Sequence, residues 1–272
     1  MNAIELGIFA SHITAICDEM GAVLQRASLS TNIKDRLDFS CAVFDSEGLL
    51  CAQAAHIPVH LGSMAFAMVD VVSAMKWQAG DMVILNDPFL GGTHLPDVTL
   101  IAPLFIDGQC MGFVANRAHH ADIGASAPGS MPVSRHLDEE GTIIPPTHIM
   151  HAGTLDDGLL QRITGTARNA RLSYADYSAQ ISANRCGIAR LTNLITSMGA
   201  TSYREGLDEL NAYAERMALD GLSRIPDGDY RFRDVMDDDG AGSYEIPIEV
   251  HIHVDHGHIT VDFSGTAPQV KG

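Results

Sequence analysis

The sequence predicts a mixed α+β fold, with short strands and hairpins, a helical middle section and an antiparallel strand region toward the C-terminal end. Three observations carry that prediction. Residues 4–27 space Ile8, Phe9, Ile13, Ile16, Met20, Val23 and Leu24 three and four apart, the stripe of an amphipathic helix. Residues 159–222 keep mainly helical spacing. Residues 228–263 alternate apolar and polar side chains at a period of two, as half-buried strands do.

After the first helix, residues 39–44, the turn Asp45-Ser-Glu-Gly48 and residues 49–53 read as strand, turn and strand. Helical period returns over 63–75, and the glycine of Gln78-Ala-Gly80 suits the helix end and the turn that follows. Residues 82–85 (Met-Val-Ile-Leu) then form a short buried strand. The segment 86–97, Asn-Asp-Pro-Phe-Leu-Gly-Gly-Thr-His-Leu-Pro-Asp, is dense in chain breakers and reads as a functional loop held between strands, the next being 98–102 and, beyond Asp107-Gly108, 110–115. Residues 124–153 carry glycine, proline and histidine without periodicity, so a long irregular excursion is expected there. Helical stretches at 159–165, 172–186, 188–198 and 203–222 follow. Strands at 228–236, 244–254 and 258–263 close the chain around a tight turn at His256-Gly257. The sequence stops in a loop directly after a strand, which reads as a fragment.

Composition excludes several functions. With 17 basic and 34 acidic residues the net charge is −17, so nucleic acid and acidic membrane surfaces are not expected partners. The N-terminus lacks a basic region and cleavage site, no apolar run is read as long enough to span a membrane, and the expected location is cytoplasmic. Five cysteines at unpaired spacings, none in a C-x-x-C, argue against both a disulfide framework and a thiolate zinc site.

The strongest chemical cluster is His94-Leu-Pro-Asp97 with Arg117-Ala-His-His-Ala-Asp122 one hairpin further on. Both segments fall at strand ends, where hairpin geometry brings them to one edge. Two imidazoles and a carboxylate there would suit zinc, manganese or iron, with a position left for water or substrate. Such a metal would lower the pKa of a coordinated water toward about 7 or polarise a carbonyl, which suits hydrolysis. The alternative is that these histidines satisfy loop carbonyls. Asp38, ahead of an apolar strand, is either a further ligand, a general base or an ordinary strand-start carboxylate. His56-Ile-Pro-Val-His60 has the spacing of H-E-x-x-H but lacks its glutamate, and Pro58 spoils the helix that motif needs. Gly91-Gly92 is a weak phosphate signal, and no nucleotide-binding loop is found. Ser130 is not in a G-x-S-x-G elbow. His251, His253, His256 and His258 bracket a turn and read as solvated hairpin residues, with a second metal site as the alternative.

Taken together, 32–41, 57–64, 85–98, 115–122 and 128–132 resemble, in order and spacing, successive motifs of the hydantoinase B / oxoprolinase family. That family includes the B subunits of N-methylhydantoinases, the corresponding half of ATP-dependent 5-oxoprolinase, and subunits of acetone and acetophenone carboxylases. Its members continue past the segment 262–266. The resemblance therefore implies that 1–272 is the N-terminal portion of such a domain, truncated at its C-terminus. It implies His94, Asp97 and His119 as ligands of a divalent metal (Zn, Mn or Fe), and Asp38 as a further ligand or catalytic base. His120 and Asp122 follow as catalytic or supporting groups. It also implies a hetero-oligomer with a hydantoinase A-type ATPase subunit, which binds the ATP and phosphorylates the carbonyl oxygen of a small cyclic amide. Residues 134–141 depart from the family pattern, which leaves the ring unassigned. Two rival readings are a subunit of an ATP-dependent ketone carboxylase and a non-catalytic metal-binding scaffold.

Overall fold

Strands β1 (Phe39–Phe44), β2 (Leu50–Ala55), β3 (Met82–Leu85), β4 (Asp97–Ile106), β5 (Gln109–His119), β6 (Thr147–His151) and β7 (Thr154–Leu155) form one antiparallel sheet, ordered β2-β1-β5-β4-β3-β6-β7. The computed structural model describes residues 1–60, 62–129 and 132–272. Ser130, considered above as a nucleophile, lies outside the described residues. Two units are resolved by their internal packing: Met1–Met131 with Glu140–Leu210, which holds this sheet, and Pro132–Glu139 with Asn211–Gly272.

Both faces of the sheet are covered, which is why its central strands read as near-continuous apolar runs. On one face Ala42, Phe44, Ile101, Phe113 and Ala115 pack with Met64, Met68 and Val71 of helix α3 (Ser63–Ala74). On the other, Asn116 bonds to the long helix α5 (Ala170–Met198), which α1 (Ala3–Ala27) accompanies. The α1 stripe buries as the spacing predicts at Phe9, Ile13, Ile16, Met20 and Leu24, while Ile8 stays exposed. A capping box between Asn2 and Glu5 starts the helix. Contrary to the sequence reading, α1 is long and apolar enough to cross a membrane by length and composition. Its buried stripe packs on α5, β1 and β2.

Other differences have local causes. The stretches 172–186 and 188–198 are one helix, because Gly187 continues it: a Cβ there would lie 2.5 Å from Met20 Sδ, so the glycine serves the α1–α5 approach and not a break. The irregular excursion contains β6, which adds to the edge of β3 by only a few residue pairs. Pro103 is tolerated inside β4 because β3 pairs only with Thr99, Leu100 and Ile101, so the missing N–H falls beyond the end of that ladder.

A helical turn, α2 (Thr31–Lys34), precedes β1, and α4 (Asp157–Thr164) starts on the Asp156 cap. Helix α6 spans Ala200–Leu222. The second unit contains β8 (Gly228–Asp238), β9 (Tyr244–Asp255) and β10 (His258–Asp262), an antiparallel sheet in the order β10-β9-β8. Its expected turn has φ of 49° at His256 and 81° at Gly257, the two left-handed residues that a type I′ hairpin requires.

Candidate metal centre

Register assembles the candidate site. Asp97, first residue of β4, lies directly opposite His119, last residue of β5. On the other flank of β5, Phe39 opposes Ala118, and the His119 amide donates to the Asp38 carbonyl at 3.0 Å, so Asp38 continues the row. Residues of equal parity share a sheet face. Asp97, His119 and Asp38 therefore stand on the α3 side of the sheet, at its end.

His94 reaches the row from the loop 86–97. The turn through Pro96 is closed by the Asp97 amide on the His94 carbonyl at 3.0 Å. Asn86, fully buried, shapes the rest: its Nδ2 donates to the Leu95 and Thr142 carbonyls (2.8 and 2.9 Å) and its Oδ1 accepts from the Ile144 amide at 2.6 Å. The loop closes so tightly on itself that a Cβ on Gly92 would fall 2.2 Å from the Asn86 carbonyl oxygen. From beneath, the buried Arg117 guanidinium donates to Thr99 Oγ1, Ser63 Oγ and the Gly91 carbonyl, tying the loop to β4 and α3. Burial depresses the Arg117 pKa, and the charge of Asp97 opposes that.

Asp97 is only 3% exposed. Its Oδ1 lies 2.9 Å from His94 Nε2 and 3.2 Å from His119 Nδ1. Its Oδ2 accepts from Thr93 Oγ1 at 2.9 Å and faces His60 Nε2 at 3.4 Å. Burial alone would raise the carboxyl pKa. The imidazoles of His119, His60 and His94 outweigh it and hold the group ionised, far below the usual carboxylate range. His94 is pushed the other way, up, first by its hydrogen bond to Asp97 and against desolvation. Asp38 Oδ2 is 3.8 Å from His119 Nδ1, on the partly exposed side of the cluster.

The donor set fits a divalent ion. One ligand atom from each of His94, Asp97 and His119 lies within 4.8 Å of the others. Atoms each about 2.0–2.2 Å from a shared ion would stand roughly 3 Å apart, close to the 2.9 and 3.2 Å that separate Asp97 Oδ1 from the two imidazole nitrogens. His94 and His119 keep part of their surface exposed, leaving the cluster open on one side.

The other expected residues are elsewhere. His120 follows His119 in a strand-like segment, so it turns to the opposite face. There it is buried, its Nε2 2.9 Å from Gln180 Oε1 and its ring stacked on Tyr177 at 4.0 Å between centroids. Burial depresses its pKa and keeps it neutral. Asp122 accepts from the Gly124 and Arg168 amides, 2.9 Å each, and pairs with the Arg168 side chain, anchoring the following loop near the start of α5. Neither touches the His94–Asp97–His119 cluster. Conversely, sequence reasoning passed over His60 and Thr93. Thr93 carried a usable signal, a hydroxyl four residues before a carboxylate in a turn; His60 looked only like half of a failed zinc motif. In the second unit, His251 and His253 lean on Asp229, and Asp227, Asp255 and His256 form an exposed group.

Fold and site together define an α+β scaffold carrying a candidate two-histidine, one-carboxylate metal centre of the open kind that catalysis uses. The chain belongs to the Hydantoinase B/oxoprolinase family, whose pattern matches residues 2–272. It is 37% identical to the 5-oxoprolinase of Saccharomyces cerevisiae, over 100% of this chain and 22% of that protein. It is 30% identical to the B-type component of a putative D-/L-hydantoinase from a Pseudomonas species, over 99% of this chain and 48% of the relative. Among solved structures, the ATP-dependent caprolactamase of Pseudomonas jessenii superposes with a TM-score of 0.93 at 27% identity, covering 100% of this chain and 47% of that one. The chain thus spans half or less of the length of these relatives.

Proposed function

We propose that this chain is the metal-bearing part of an ATP-dependent enzyme that hydrolyses small cyclic amides of the hydantoin or 5-oxoproline class, in the cytoplasm. The observation that carries the reading is the buried Asp97, with His94 Nε2 and His119 Nδ1 both set on its Oδ1 in a chain of this family. His94, Asp97 and His119 would hold a zinc, manganese or iron ion. When bound, the ion would supply carbonyl polarisation or an acidified water.

The chain's own residues supply position and proton handling. Asp97 stays charged beside three imidazoles, so it is a ready anionic ligand at neutral pH. Asp38, on the open side of His119, can complete the ligand set or take the proton from an attacking water. His120 and Asp122 act from behind by fixing the strand end and the loop that follows. An unactivated lactam is a poor electrophile, and phosphorylation of its oxygen makes it a good one. That step falls to a hydantoinase A-type ATPase partner in a hetero-oligomer, since this sequence has no recognised nucleotide loop.

Elemental analysis of the purified protein, beside a His94→Ala, Asp97→Ala double variant, tests the metal reading. Near-stoichiometric metal lost in the folded variant is the expected result, and ATP-dependent ring opening with the partner should be lost with it. Equal metal in both, or none in either, would sink it in favour of a scaffold.

A further inference from the structure

The two oxygens of Asp97 live in different surroundings. Oδ1 takes the two ligand histidines, whereas Oδ2 takes the Thr93 hydroxyl at 2.9 Å and is faced by His60 Nε2 at 3.4 Å. His60 closes the 3-10 turn Pro58–His60, just ahead of α3, and its side chain is fully buried. Its Nδ1 lies 3.1 Å from Ser40 Oγ on β1, on the same sheet face as Asp38 two residues earlier. Its Nε2 makes no hydrogen bond with the described residues. Leaving a buried polar nitrogen in that state costs about 1–3 kcal/mol, which calls for a reason.

Asp97 supplies one. Its carboxylate only accepts, so a His60 proton on Nε2 faces Oδ2 at 3.4 Å, just outside hydrogen-bond geometry, and leaves Nδ1 to accept from the Ser40 hydroxyl. The opposite tautomer would set two lone pairs against each other in a dry site.

We propose that His60 and Thr93 are positioning residues for the metal carboxylate: they hold Oδ2, so that Asp97 presents Oδ1 alone to the ion, and the acceptor-only carboxylate keeps the His60 proton on Nε2 while Ser40 donates to Nδ1. This rests on the metal reading above. Outer hydrogen-bond partners of ligands change metal affinity by about 10–100-fold when removed.

The test titrates Co2+ and Zn2+, against a competing chromophoric chelator, into the complete natural polypeptide and into His60→Phe, His60→Gln, Thr93→Val and Thr93→Ser. His60→Phe and Thr93→Val should each weaken binding about 10–100-fold. Both should also shift the visible absorption of the Co2+ form, because the freed carboxylate changes its mode of coordination. His60→Gln, whose amide N–H can replace Nε2–H, and Thr93→Ser should recover most of the affinity and the spectrum. A merely structural role would lower stability without that spectral change. Wild-type affinity and spectrum in folded Thr93→Val and His60→Phe would overturn the assignment, and Thr93→Val decides alone if His60→Phe does not fold. A wild-type protein that takes up neither ion fails one step earlier, overturning the metal reading and this assignment with it.

Discussion

Asn86 is the residue on which the shape of the His94 loop depends, and substituting it gives a calculable loss. Alanine would remove three hydrogen bonds and leave the Leu95 and Thr142 carbonyls and the Ile144 amide facing a small buried void. A stranded buried polar group costs about 1–3 kcal/mol. Three such groups, with some relief from entering water, give a destabilisation on the order of 3–6 kcal/mol. Asn86→Asp should be at least as damaging near neutral pH, since it sets a carboxylate oxygen against two carbonyls. Asp87→Ala is the control: it deletes one exposed bond, from the Phe89 amide, in the same loop, and should cost no more than about 1 kcal/mol. Urea unfolding followed by tryptophan fluorescence is the assay. The single tryptophan, Trp77, packs edge-on against Phe113 at 5.1 Å between centroids, within the unit that holds Asn86. If Asn86→Ala and Asp87→Ala unfold within about 1 kcal/mol of each other, the loop is not held in the way described.

Three further outcomes can be checked with the same protein. Gly187→Ala should destabilise by about 1–3 kcal/mol, because its Cβ meets Met20 Sδ at 2.5 Å and Val114 Cγ1 at 3.1 Å; adding Met20→Val should restore part of the loss, and strict additivity would argue against the contact. Gly92→Ala should misplace His94 and weaken metal uptake more than it lowers the urea midpoint, since the clash at 2.2 Å is with backbone; unchanged uptake would contradict the loop geometry. Burial pushes the Cys17 thiol up to about 12 and raises Cys41 well above its ordinary value, so at a pH of about 8 neither has appreciable thiolate. A thiol reagent should then label at most Cys51, Cys110 and Cys186 in the native protein and all five in urea; rapid native labelling of Cys17 would refute that packing.

Much of the fold was legible because its signals are local. The α1 stripe, the hairpins and the His256-Gly257 turn each follow from spacing or from residues that tolerate positive φ. What was not legible depended on distant partners. Gly187 looks like a helix break until Met20, far away in sequence, is packed against it. Strand β6 has two histidines in five residues and no apolar alternation, so its pairing with β3 and β7 is what makes it a strand. His60 gains significance only when β1 brings Ser40, and the loop brings Asp97, to its two ring nitrogens.

The pair His119-His120 shows how the site could be half read. Hairpin reasoning correctly brings the β4 and β5 ends together, and Asp97 does stand opposite His119. The same strand geometry alternates faces, so the neighbouring imidazole belongs to the opposite side of the sheet. There Gln180 takes His120 on its Oε1 and donates its Nε2 to the Val98 carbonyl, while Asn184 donates to that of Leu100. These buried amides grip the β4 backbone immediately after Asp97. The two histidines therefore divide the work by parity: His119 meets the carboxylate at the open face, and His120 helps lock the strand that carries it. A change behind the sheet should reach the front through β4 register and not through any ligand.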